Sequence, residues 1–337
     1  MERGGHDQER SARVDLTRRQ ALRVLGGGAV GAGVARVAYE YTGFGIVAGT
    51  NLTEQSLGPL ARRRLGPSPF TLRVRGHELT FDGEVVERHD KAGERVAAVS
   101  ITDGEPGVSE DPGEPAAALA ADLGAIEADE FAFEFTGVEG FFQRLRGGRT
   151  RPFTVAALRG DGFRRPDPET VRAFTGVGPA DPRSLVTGLA DAFGGHAHFD
   201  YARYVAGLVQ EYLLLGTIPV EKPFREPTHF EAMLDGTSGL YCYEYAFRSV
   251  EAFHAVPPHR QSVPVFGALV LDDRHNHAYT ALASVVREDG DLRVPMTFVD
   301  YYYSTLFDNV DLQWALGDGI GAYDEHHRAS GIHYSTP

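Results

Sequence analysis

Two apolar runs near the C-terminal end, residues 277–286 and 292–300, are separated only by Arg287-Glu288-Asp289-Gly290-Asp291, a group rich in turn formers. That spacing predicts a β-hairpin, and a hairpin dictates which side chains meet across it. With the turn centred between Glu288 and Asp289, Asp300 faces His277 directly; centred between Asp289 and Gly290, the two are diagonal neighbours on one face. Either register leaves them about 5 to 8 Å apart at the backbone, within side-chain reach. Pro295 interrupts the second run, where a bulge is expected.

A histidine held beside a carboxylate is a base with an orienter, so the question becomes which nucleophile it serves. The chain has a single cysteine, Cys242, in Gly236-Thr237-Ser238-Gly239-Leu240-Tyr241-Cys242-Tyr243-Glu244-Tyr245-Ala246. There a Gly/Ser/Thr turn gives way to a helical pattern running to about residue 255, with Ser238 or Thr237 as the expected cap. A thiol at that position meets the positive end of the helix and its unpaired N–H groups, which favour thiolate and offer donors to an oxyanion. The plainer reading is a core cysteine, because Cys242, Ala246, Val250 and Phe253 share one helical face.

The order Cys242-Tyr243-Glu244-Tyr245-Ala246, then His277-Ala278-Tyr279, then Phe298-Val299-Asp300 resembles the transglutaminase-like, papain-type thiol superfamily, over roughly residues 185–315. The resemblance implies an α+β fold with a papain-like core, in which a helix bearing the cysteine packs on an antiparallel sheet bearing the histidine and aspartate. It implies a Cys242, His277, Asp300 triad attacking an amide through a thioester. The expected activity is a peptidase or amidase, with a true transglutaminase or a catalytically silent surface module as alternatives. The substrate would be a peptide or protein amide, and no cofactor or metal is required. Leu240 stands where the family usually has glycine, with Gly239 one place early, and Tyr279 stands where tryptophan is commoner.

Other constellations compete for the same residues. His275 and His277 point one way from a strand, and His254, His259, His326, His327 and His333 lie nearby in sequence, so a metal site can be drawn. It lacks a second thiol or a helical His-x-x-x-His pair. Gly236 to Leu240 nearly forms a serine nucleophile elbow, with Leu240 in place of the second glycine. The aromatic run Tyr301-Tyr302-Tyr303 is expected in the core and the wall of a cleft.

The rest of the chain sets the context. At 337 residues and 42% hydrophobic, it can bury the core of one large domain or two modest ones. A net charge of -14 excludes a nucleic-acid surface, because phosphate would be repelled. Lys91 and Lys222 are the only lysines against 47 acidic residues, a balance expected of a halophile, although codon bias with an acidic surface gives the same numbers. One cysteine rules out an internal disulfide.

The first 38 residues read as a twin-arginine export signal: Thr17-Arg18-Arg19-Gln20-Ala21-Leu22-Arg23 precedes a mildly apolar run over residues 24–35. That run is too short for a membrane span. Its Gly26-Gly27-Gly28-Ala29-Val30-Gly31 matches a dinucleotide fingerprint only in letters, since a basic leader precedes it rather than a strand. No cysteine there marks a lipid anchor, no clean cleavage site stands out before Tyr39, and Asn51-Leu52-Thr53 is a glycosylation acceptor. The expected location is extracellular or at the cell surface.

Residues 39–165 form an expected N-terminal α+β region of unassigned role. It holds strands over 70–99 with a turn at Asp82-Gly83, a Pro/Gly/Glu-rich stretch at 102–115, a helix at 116–126 and a strand at 131–135. The transglutaminase-like domain is expected over 166–337, with helices at 168–174, 182–193 and 201–215, two of them opened by Asp-Pro.

Overall fold

The structure is a computed structural model and describes residues 57–65, 70–74, 77–82, 85–100, 115–159, 162–210, 222, 227–234, 238–272, 277–302 and 331–334. The leader, the Asn51 triplet, Gly236, Thr237, His275, Tyr303, Trp314, His326 and His327 lie outside them. The chain is a mixed α+β protein in two units, Met1–Gly43 with Asp200–Glu226, and Phe44–Phe199 with Pro227–Pro337.

The larger unit runs α1 Gly58–Leu65, β1 Phe70–Val74, β2 His77–Asp82, β3 Val85–His89, β4 Arg95–Ser100, α2 Pro115–Glu127, β5 Ala132–Phe135, α3 Val138–Gly147, α4 Pro152–Leu158, α5 Pro168–Thr175, α6 Pro182–His196 and β6 Ala197–Phe199. The smaller unit contributes α7, Tyr201–Leu208, whose first turn is capped by Asp200 accepting the Arg203 N–H. The larger unit then resumes with α8 Phe230–Leu234, β7 Ser238–Leu240, α9 Cys242–His254, β8 Phe266–Asp272, β9 His277–Ala283, β10 Val286–Glu288, β11 Asp291–Val299 and β12 Gly331–His333. No described helix is long and apolar enough to cross a membrane.

The two Asp-Pro starts behave as their chemistry dictates: Asp167 accepts the Thr170 N–H and Asp181 the Ser184 N–H, with proline in each first turn. Strands β1 to β4 form an antiparallel meander, and the second sheet is ordered β10-β11-β9-β8-β12, with β5 along the other edge of β11. Strand β5 runs parallel to β11, Ala132 pairing with Arg293 and Phe135 with Met296. A strand from before residue 165 is thus built into the sheet that carries His277, and the boundary expected at 165 does not divide this sheet.

Both faces of that sheet are covered. On one, Tyr279, Ala281, Val294, Met296 and Phe298 pack with Leu119, Leu123, Val155 and Leu158 of α2 and α4. On the other, α9 lies against β8 and β9. Gly267 permits that approach, since a Cβ there would sit 3.1 Å from Cγ1 and 3.2 Å from Cα of Val250. The Ser249 and Thr280 hydroxyls, both fully buried, share a hydrogen bond of 2.5 Å and pin the helix to β9.

Buried charges fasten the periphery. Asp122, fully buried on α2, accepts Arg151 Nε, Thr154 Oγ1 and Arg287 Nε, joining α2, α4 and β10. Arg159, 4% exposed, donates to the carbonyls of Phe253, Val256 and Val265 and to Gln261 Oε1. Its guanidinium thereby takes up carbonyls at the C-terminal end of α9, where a cation is favoured by the helix dipole.

Candidate functional site

Two extended segments bring the chain to Cys242. Strands β6 and β7 run parallel, Phe199 pairing with Leu240, and Leu240 is fully buried in the core. The residue standing in the place of the family glycine is therefore a strand residue with a packing role. Helix α9 starts immediately afterwards with Cys242 as its first residue and Tyr241 as N-cap.

The cap differs from the sequence expectation. Ser238 lies in β7 and donates its hydroxyl to the Pro227 carbonyl at 3.2 Å, so it neither caps the helix nor projects as an elbow serine. The Glu244 carboxylate closes the helix start, accepting the Tyr241 N–H at 2.9 Å. The first N–H groups of the helix have no carbonyl one turn back, and they carry the positive end of its dipole beside the sulfur. Along the predicted stripe Ala246, Val250 and Phe253 are buried, whereas Cys242 is only half-buried.

The hairpin settles the second half of the site. Val286 pairs with Arg293 and Ala283 with Met296, so one register holds on both sides of Pro295 and the bulge expected there is not present. The turn is Asp289-Gly290, both residues at positive φ (50° and 90°), as a two-residue primed turn requires. This is the diagonal register: Val299 pairs with Thr280, which puts Asp300 a step beyond, across from Tyr279 and diagonal to His277.

The side chains close that gap. His277 Nε2 lies 2.5 Å from Asp300 Oδ2, and Asp300 Oδ1 accepts the Tyr302 N–H at 3.0 Å. Cys242 lies close enough to the same imidazole to act on its proton, favouring the protonated ring. Cys242, His277 and Asp300 are thus brought together at one place. Burial works against an imidazolium here, but the charge and hydrogen bond of Asp300, with the contribution of Cys242, outweigh it and hold His277 well above its ordinary value. The Asp300 side chain is 1% exposed and that of His277 is 10% exposed, so the carboxylate is sealed while the imidazole keeps an open edge.

An aromatic brace that the sequence reading did not foresee holds this arrangement. Tyr279 lies 5.9 Å and Tyr302 5.7 Å from the His277 ring, Phe199 packs 4.8 Å from Tyr302, and Phe199 reaches Tyr241 at 6.1 Å. The rings run from the base to the residue before the nucleophile. The sequence signal for it was faint: aromatics at the ends of two short runs 40 residues apart in the chain.

Among the described residues, one competing histidine is committed elsewhere. His254, 3% exposed at the far end of α9, accepts the Gly267 N–H at Nε2, and burial, together with Arg159 and Arg165, holds it well below its ordinary value. Among the described residues no group of three or more His, Cys, Asp or Glu side chains is arranged to hold a metal ion. No protein-family model, curated protein or solved structure matches this chain.

Proposed function

We propose that the protein is an exported thiol-dependent amide hydrolase, a peptidase or amidase of transglutaminase-like type with a papain-like core. The observation carrying this reading is Cys242 as the first residue of a helix, acting on an imidazole that is hydrogen-bonded to Asp300 and whose side chain is 10% exposed. A core cysteine needs no such partner.

In the reaction His277 takes the Cys242 proton and the thiolate attacks the amide carbon, forming a C–S bond and an oxyanion. The first N–H groups of α9 are placed to receive that oxyanion. Collapse breaks the C–N bond, and the His277 imidazolium passes its proton to the leaving amine. His277 then deprotonates water, which attacks the thioester; the carboxylic acid departs and the thiol is restored. Asp300 stays ionised throughout and holds the ring in the tautomer that keeps Nδ1 toward sulfur. These steps call on no cofactor. Water is the default acceptor, because nothing in the sequence marks a tunnel that would shield the thioester for an amine.

The test couples reactivity to turnover. Iodoacetamide should label Cys242 of the folded protein rapidly, and His277→Ala should slow this at least about tenfold. Incubation with a peptide library in high salt should generate new termini that vanish in Cys242→Ala. Stable incorporation of a labelled primary amine at glutamine would instead identify a transglutaminase. Slow labelling that ignores His277→Ala, with no new termini, would leave a silent module. Export by the twin-arginine route is part of the proposal; Arg18→Lys with Arg19→Lys should retain the protein inside the cell.

A further inference from the structure

Cys242 lies where two apolar clusters meet. On one side, the rings of Tyr241, Phe199 and Tyr302 pack in series from the residue before Cys242 to His277. On the other, Cys242, Phe247 and Leu271 each pack against the buried cluster of Phe163, Ala246, Val250, Leu269 and Ala278, and all three are only half-buried. Tyr243, the next residue along the helix, is 38% exposed and, with Val96, is one of the two exposed large hydrophobic residues among those described.

Tyr243 does not wander on that surface. Its ring stacks on Phe247, one turn on, at 5.8 Å and 26°, and Phe247 rests on Phe163 at 5.1 Å. Arg248 lies 5.1 Å over the Phe247 ring, and its charge is met by Glu251 beneath. Tyr243 and Phe247 thus form an aromatic ledge on the helix that begins with the thiol, and the Arg248 charge over it is paired with Glu251. A flat, neutral, preformed apolar surface costs little to order around a ligand and favours apolar or aromatic contact over a charged one.

We infer that Tyr243, Phe247 and Leu271 form a substrate shelf that selects an aromatic or large aliphatic side chain beside the attacked amide. The inference rests on the proposed hydrolase reading and deepens it, since Cys242 packs on its other side against the buried cluster holding Leu240 and Tyr302, while Phe247 and Leu271 share its second cluster and the exposed Tyr243 follows it in the chain. The rival is plain charge steering: a chain of net charge -14 attracts cationic substrates wherever they bind.

Four peptidyl fluoromethyl ketones, alike except for Phe, Gly, Asp or Lys beside the reactive carbonyl, would separate these, each rate being divided by that of iodoacetamide on the same protein. The wild type should prefer Phe over Gly by about tenfold or more, and Phe over Lys as well. Tyr243→Ser, at an exposed position safe for folding, should cut the Phe-to-Gly ratio severalfold, Phe247→Ala should cut it further, and Tyr243→Arg should raise the Asp rate over that of Gly. A Phe-to-Gly ratio within twofold in the wild type, a Lys preference over Phe, or a ratio unmoved by the Tyr243 variants would each overturn the shelf while rapid, His277-dependent iodoacetamide labelling left the hydrolase standing. Slow labelling independent of His277 would remove the hydrolase reading, and the shelf with it.

Discussion

The two ends of helix α9 carry a titratable site each and treat it in opposite ways. At the N-terminal end, Cys242 is half-buried, Glu244 closes the helix start, and His277 is raised, against the effect of burial, by the Asp300 carboxylate. At the C-terminal end, His254 is buried and lowered, its Nε2 is occupied by a backbone N–H, and the helix carbonyls are taken by Arg159. One end sets its histidine beside a carboxylate; the other gives its histidine and its helix carbonyls fixed partners. Helix position does not decide which histidine is reactive. The company of a carboxylate or of a guanidinium does.

The largest break in that contrast should come from Asp300→Asn, which preserves shape but favours the wrong His277 tautomer. Amide hydrolysis should fall about 10³-fold in kcat with little change in KM. The same variant tests the proton. A histidine raised above its usual 6.5 adds stability that is full below that pH and fades as pH rises through the higher folded value. Urea denaturation of the wild type across that range should show the fading share, and the variant should lack it.

Next in size is Arg159→Leu, which strands buried carbonyls at the closed end and should cost about 3 kcal/mol in urea denaturation. A loss under about 1 kcal/mol would show that water replaces the guanidinium there. Gly267→Ala should cost about 1 to 2 kcal/mol by pushing β8 off Val250, and iodoacetamide labelling of Cys242 would report whether the strain reaches the other end. Smallest is His254→Gln. The wild-type histidine, lowered in the fold, makes stability drop as pH falls below about 6.5, by at most about 1.4 kcal/mol per pH unit. Glutamine can still accept the Gly267 N–H but does not titrate, so the acid slope should flatten.

What the sequence revealed of this comparison was local. The Asp289-Gly290 turn, the Asp-Pro helix starts and the start of α9 near Cys242 all follow from residues within a few positions of each other. What escaped was set by distant chain. Ser238 reads as a helix cap until Ala197 pairs with it and makes it a strand. The break at 165 reads as a boundary until β5 joins β11. Arg159 gives no sign at all, because its acceptors are carbonyls, which every residue has. That His277 and Asp300 are neighbours was legible because the hairpin spacing fixes their register, whereas the brace through Phe199 depends on packing that no spacing encodes.

The Asp289-Gly290 turn also has a consequence in time. Strands β10 and β11 meet across two residues, and β9 joins in the same register, so the chain loses little loop entropy in bringing them together. The pairing of β5 with β11, from Ala132 to Arg293, must close a far longer loop. Contacts of short range form sooner during folding. The base and its carboxylate should therefore be neighbours while Cys242 is still on an undocked segment, and the nucleophile should acquire its partner only when α9 settles on β8 and β9. Folding kinetics would show this as φ-values near one at Leu292 and Val286 and near zero at Phe133, with the thiol gaining its enhanced reactivity only in the last step.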